Sequence, residues 1–143
     1  MIDSLVSSPT IRMLEQTLDF TEQRHNVLLE DIANVSTPGF VQKDVSVAEF
    51  QKSLQDAIAK NWTSNNNSYH PESNEAADFS PVSSQVQVKP AEVGNTMAFH
   101  DRGVRSMEYL MGQMADNAMA HNAVSQLLKS RYDMTTRAIK LQA

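Results

Sequence analysis

Two amphipathic stretches, one at each end of the chain, constrain the fold more than anything between them. Ile11, Leu14, Leu18, Thr21, His25, Leu28, Ile32 and Val35 follow one another in steps of three and four. That is the spacing of residues facing a partner helix. Ser8 and Pro9 suit a cap and a first helical turn, so a helix is expected over 9–35. Its regular part, Pro9 to Ala33, would run about 37 Å at 1.5 Å per residue. At the other end Val104, Met107, Met111, Met114, Ala118 and His121 form one seam. Val124, Leu127, Met134, Ala138 and Leu141 continue on a neighbouring one, widened by Leu128, Tyr132 and Ile139. No proline interrupts Gly103 to Ala143, which predicts a single helix over 101–143. Each seam is too long to be buried inside a chain of this size, so the two are expected to pair with each other.

Charge points the same way. Between Thr10 and Ala33 the acids Glu15, Asp19, Glu22, Glu30 and Asp31 outnumber Arg12 and Arg24. From Val124 onward Lys129, Arg131, Arg137 and Lys140 outnumber Asp133. Opposite signs on facing helices favour association modestly, although two independently solvated faces would look the same on charge alone.

The middle is poorer in signals. Val41, Val45 and Val47 alternate as in a short extended piece, and Val47, Phe50, Leu54, Ala57 and Ile58 mark a short helix ending near Lys60. These complete a 36–60 segment of turn, extended piece and helix. The 61–81 stretch is rich in Asn, Ser, Glu and Pro and reads as a flexible loop. Val82, Val86 and Val88 suggest strand character in an extended connector over 82–100. The expected fold is therefore mainly α, one domain over 1–143. Two long terminal helices pair as a coiled-coil-like bundle around a small, partly extended middle.

Between the first helix and that middle stands Ala33-Asn34-Val35-Ser36-Thr37-Pro38-Gly39-Phe40. Asn34 tolerates left-handed backbone angles and so suits a helix end. Thr37 is pushed to extended angles by the proline after it. Pro38-Gly39 suits the centre of a type II turn, with proline fixing φ and glycine accepting a positive one. The string resembles the A-N-x-x-T-P-G-[FY] signature of bacterial flagellar rod, hook and related axial proteins, carrying its fixed positions Ala33, Asn34, Thr37, Pro38, Gly39 and Phe40. One departure lies upstream, where the family usually reads Asn-Ile-Ala-Asn and this chain has Asp31-Ile32-Ala33-Asn34. A carboxylate near a helix C-terminus faces the negative end of the macrodipole, so Asp31 should need a basic partner or solvent.

Within that family the chain has no room for the large middle domain of hook and distal-rod proteins. It is similar to one of the short proximal-rod types, through Gly94-Asn95-Thr96-Met97, Met107-Glu108, Ala115-Asp116-Asn117 and Arg137-Ala138-Ile139-Lys140. Phe99-His100-Asp101-Arg102-Gly103 departs from that type's more regular helix start. The resemblance implies a structural subunit of the flagellar basal body rod, in the periplasm. Its partners would be copies of itself and other rod subunits, and it would pass through the flagellar type III export apparatus. Residues expected to pack in the assembly are Leu14, Leu18, Leu28, Ile32, Met107, Met111, Met114, Leu128 and Ile139.

Other classes fit less well. The net charge of −5 argues against a general nucleic-acid binder. No apolar run is long enough for a membrane-spanning helix, and Met1 to Met13 lacks the pattern of a cleaved secretory signal. There is no cysteine and hence no thiol chemistry. His25, His70, His100 and His121 lack metal-site spacing, and no nucleophile elbow or phosphate loop is present. No cofactor and no enzymatic activity are expected. The competing reading is a helical binding module, such as a secretion chaperone or adaptor, gripping a partner helix with the same seams.

Overall fold

The computed structural model describes residues 8–64, 69–80, 85–93 and 102–141. The chain is mainly helical, with two long terminal helices and small sheet elements between them. Helix α1 spans Pro9–Asn34. Strand β1 (Lys43–Asp44) leads to α2 (Val47–Ser64), then to β2 (Ala77–Phe79), β3 (Val86–Val88) and β4 (Ala91–Glu92), and α3 runs Arg102–Leu141. β1 pairs antiparallel with β4, Lys43 opposite Glu92. β2 pairs antiparallel with β3, Ala77 opposite Val88 and Phe79 opposite Val86.

Helix α1 starts where local chemistry dictates. Ser8 is the cap, its hydroxyl accepting from the Ile11 amide at 3.3 Å, with proline in the first turn, so one otherwise orphaned N–H is satisfied. The helix is central because it is covered on two sides. Leu14, Thr21 and Leu28, all buried, belong to the seam read from the sequence, and α3 packs along α1 antiparallel to it. Glu15 accepts from the Tyr132 hydroxyl, the Thr21 carbonyl from Asn117, and Arg24 donates to Gln113.

On its other side α1 meets a compact body that the sequence pattern understates. Phe20 stacks on Phe50 of α2 at 3.9 Å between ring centres, and Phe50 stacks on Phe79 of β2 at 5.7 Å. Val45, Leu54, Ala57, Tyr69, Ala76, Ala77 and Val86 complete this core. The 61–81 stretch expected as a flexible loop therefore needs correcting in its described parts. α2 continues to Ser64, four residues past its expected end, and Tyr69, Ala76, Ala77 and Phe79 are buried. Residues 65–68 and Val82 lie outside the described residues.

The β2–β3 pair survives as a two-stranded sheet because side chains take the place of its missing neighbours. Along the outer edge of β3, Asp19 accepts from the Val86 amide at 2.6 Å and Gln23 from the Val88 amide at 3.1 Å. Gln23 also donates to the Val86 carbonyl. These two α1 side chains, one turn apart, act as a third strand. Along β2, Asn74 accepts from the Ala76 and Ala77 amides and Ser73 from the Phe79 amide. Asn74 in turn donates to the Glu49 carbonyl and to Ser53 of α2. Exposed strand edges invite pairing with other chains, and here both edges are occupied.

Candidate assembly surface

The signature turn forms as its residue types require. The Thr37 carbonyl accepts from the Phe40 amide at 3.2 Å, and Gly39 has φ +79°, the positive angle a type II turn needs at that position. Asn34 differs from expectation. It is the last residue of α1, and its side-chain amide donates to the Glu30 carbonyl at 2.8 Å while its own carbonyl accepts from Thr37 at 2.8 Å. The helix is thus closed by side-chain capping and a second turn, with no left-handed residue at Asn34.

Just inside this turn lies a buried polar knot. Asp31 is 1% exposed, and its two carboxylate oxygens accept from the single Lys43 amide at 3.2 and 3.0 Å. Its partner is therefore a backbone N–H across the turn, neither a basic side chain nor solvent as expected. Burial pushes the Asp31 carboxyl above its usual range against the pull of that hydrogen bond, and the nearby Asp44 and Glu30 charges add to the rise. Arg24, 5% exposed, grips Asp44 with two bonds of 2.9 Å and donates to Gln113 of α3 at 2.7 Å. One guanidinium thus ties α1, β1 and α3 together. Bidentate pairs of this kind are stronger and more directional than single bonds.

A second polar layer crosses the α1–α3 contact. The Thr21 hydroxyl gives its one hydrogen to the Leu18 carbonyl at 2.8 Å. Its oxygen also lies within hydrogen-bond distance of His121 Nδ1, 3.0 Å away. Asn117, 4% exposed, donates to the Thr21 carbonyl at 2.8 Å. Spacing alone puts Thr21 and His121 on the facing seams, but it does not find Asn117, and it gives no sign that these residues bond each other across the contact.

The nine packing residues divide. Leu14 and Leu28 are buried, Leu18, Ile32, Met107, Met114 and Leu128 are half-buried, and Met111 and Ile139 are exposed. Met111 is a correction of phase. Among the described side chains of α3, those that lose solvent are Met107, Leu110, Gln113, Met114, Asn117, Ala118, His121, Val124, Ser125, Leu128 and Thr135. Only Leu110 and Asn117 are buried, so Leu110 leads where Met111 was expected to and Asn117 lies deeper than Ala118. Ile139 is exposed for a different reason. Helix α3, 40 residues long, runs about 60 Å against about 39 Å for α1. Among the described side chains past Tyr132 only Thr135 is half-buried, and those of 136–140 are all exposed. The side chains of Val104 and Leu141, and the Gly94–Met97 element with His100, lie outside the described residues.

What remains uncovered on α3 is substantial. Tyr109, Met111, Met119, Leu127 and Met134 are each more than half exposed. Lys129, Arg131, Arg137 and Lys140 are exposed too, and among the described residues none of them forms an ion pair. No helix is long and apolar enough to cross a membrane, and no three His, Asp or Glu side chains converge as a metal site requires, both among the described residues. Neither a protein-family model nor a curated protein matches the chain.

Proposed function

We propose that the chain is a structural subunit of a helical filament, specifically a proximal-rod protein of the bacterial flagellar basal body, of the FlgB type. In this reading α1 and α3 pair in a coiled-coil-like way. The three-and-four spacing of Met107, Leu110, Met114, Asn117, His121, Val124 and Leu128 supports that pairing. The observation that carries the reading is the turn at Thr37–Phe40. Its sequence, with Ala33 and Asn34 before it, resembles the family's signature, and its glycine has the positive φ that favours this residue type there. The knot of Asp31, Lys43, Arg24, Asp44 and Gln113 supports the turn's role as the point that sets α1, the strand after it, and α3 relative to one another.

The mechanism follows from surface that the subunit cannot cover alone. Apolar burial stabilises by about 25 cal/mol per Å², and large uncovered apolar faces mark interaction sites. Contacts with copies and with other rod subunits that do not close on themselves build an open helical shaft, which transmits motor torque. Delivery to the periplasm by the flagellar type III export apparatus belongs to the same proposal. The chain performs no catalysis in it and needs no cofactor.

The test is genetic and structural together. Deleting the gene in its own organism should abolish motility and stop hook–basal bodies at the rod. Complementation should succeed with the wild-type chain and with Gln42→Ala, and fail with Gly39→Val. A motile deletion strain with complete basal bodies would refute the assignment.

A further inference from the structure

The cations at the C-terminal end of α3 are left uncompensated at close range. Lys129, Arg131, Arg137 and Lys140 stand exposed without an ion pair among the described residues, although α1 beside them is acidic. Residues 124–143 carry net +3, so the rest of the chain carries −8 to reach the total of −5. Charge is thus segregated along the molecule, and the basic part lies on the helix that outruns its partner. Leu127 and Met134 sit seven residues apart on the same face of that part, 55% and 60% exposed, giving it an apolar stripe beside its cations.

A surface of complementary character exists on the opposite side of α1. A groove of about 310 Å³ lies between α2 and the 70–75 segment, bordered by Glu49, Asp56, Glu72 and Glu75 with Lys52 and Lys60. Lys60 is held by Glu72 at 2.5 Å, which leaves Glu49, Asp56 and Glu75 against Lys52. Ala57 also lines this groove.

We infer that the free C-terminal end of α3, from Leu127 to Lys140, is a docking surface for a second copy of this chain, seated along that copy's α2 groove. Because the two surfaces lie at different places on one molecule, the contact is heterologous and repeats without closing. The inference rests on the filament reading above and specifies one contact in it. Opposite charge steers encounter and sets register more than it adds affinity, while the Leu127–Met134 stripe supplies the burial.

Two variants test it by charge exchange. One carries Lys129→Glu, Arg131→Glu, Arg137→Glu and Lys140→Glu; the other carries Glu49→Lys, Asp56→Lys and Glu75→Lys. All these side chains are exposed or half-buried, and circular dichroism melts verify that both variants fold. Self-association of the full chain is followed by sedimentation velocity over rising protein concentration, at low salt and at high salt. Each variant alone should associate about tenfold more weakly than wild type, as expected for three screened pairs. An equimolar mixture should recover association, because each variant's α3 end then faces a groove of opposite sign. Wild type that associates while the mixture stays as weak as its components would overturn this contact and leave the filament reading standing. Wild type that stays monomeric at all concentrations would count against both. Wild type that instead co-sediments with vesicles of anionic phospholipid and does not self-associate would overturn the contact in favour of a membrane surface.

Discussion

Gly39 offers the sharpest test of the physical argument, because the structure separates backbone strain from crowding there. A Cβ placed on this glycine meets nothing within 4 Å, yet its φ is +79°. Any cost of substitution must therefore come from the left-handed backbone alone. For an ordinary L-residue that cost is about 1–2 kcal/mol, offset by about 0.4–1 kcal/mol from the lost freedom of the unfolded glycine. Gly39→Ala should lose about 1 kcal/mol net. Gly39→Asn should lose less, since asparagine visits this region more readily, and Gly39→Val should lose about 2 kcal/mol or more, since a β-branched residue there is an outlier. The loss has a ceiling. The turn can open by sacrificing the Phe40–Thr37 hydrogen bond, worth about 1 kcal/mol, and loosening the Lys43 amide from Asp31. Urea unfolding of the four proteins at one pH measures the series, and a loss of 1 kcal/mol corresponds to a few degrees in Tm for a chain of this size. Alanine, asparagine and valine variants of equal stability would refute the strain argument.

Other outcomes follow from particular contacts. Asp31 has its carboxyl raised in the folded state by burial, so its favourable contribution is complete below its unfolded value near 3.8 and is lost as pH rises through the folded value. Asp31→Asn should therefore gain stability relative to wild type as pH climbs from 4 to 7, and urea midpoints that move in parallel across that range would contradict this. Arg24→Ala should cost about 2 kcal/mol through the lost bonds to Asp44 and Gln113, Asp44 keeping the Val45 amide, and Arg24→Lys should not restore it because lysine lacks the two-pronged geometry; both are read by thermal unfolding. Asn117→Ala should cost about 1–2 kcal/mol through the lost bond to the Thr21 carbonyl. Gly112→Ala, where an added Cβ meets nothing within 4 Å, should stabilise the exposed middle of α3 by about 0.5–1 kcal/mol.

Chemistry written in consecutive residues is legible from the amino-acid sequence alone. Ser8 and Pro9 mark the start of α1, and Pro38-Gly39 marks a turn whose positive φ no other residue type supplies without strain. The absence of proline from Gly103 onward makes α3 one helix. Those features depend on neighbours in the chain, so the sequence by itself determined them. The face that α3 presents is not decidable in the same way. Met107, Met114 and His121 belong to two seams one residue out of phase, and methionine, leucine and alanine occur all around the helix. That Leu110 is buried while Met111 is exposed, and that Asn117 lies deeper than Ala118, depends on α1, where the Thr21 carbonyl accepts from Asn117. The middle body escapes sequence patterning for a related reason. Tyr69, Ala76, Ala77 and Phe79 sit in a polar stretch with no period, and they become core only because Phe20 and Phe50 arrive from two helices. Asp31 and Arg24 have the sequence character of surface charges on a helix, but a strand twelve to twenty residues away brings an amide to one and a carboxylate to the other. Contacts between residues distant in the chain carry no local signature, and the tertiary structure alone decided them.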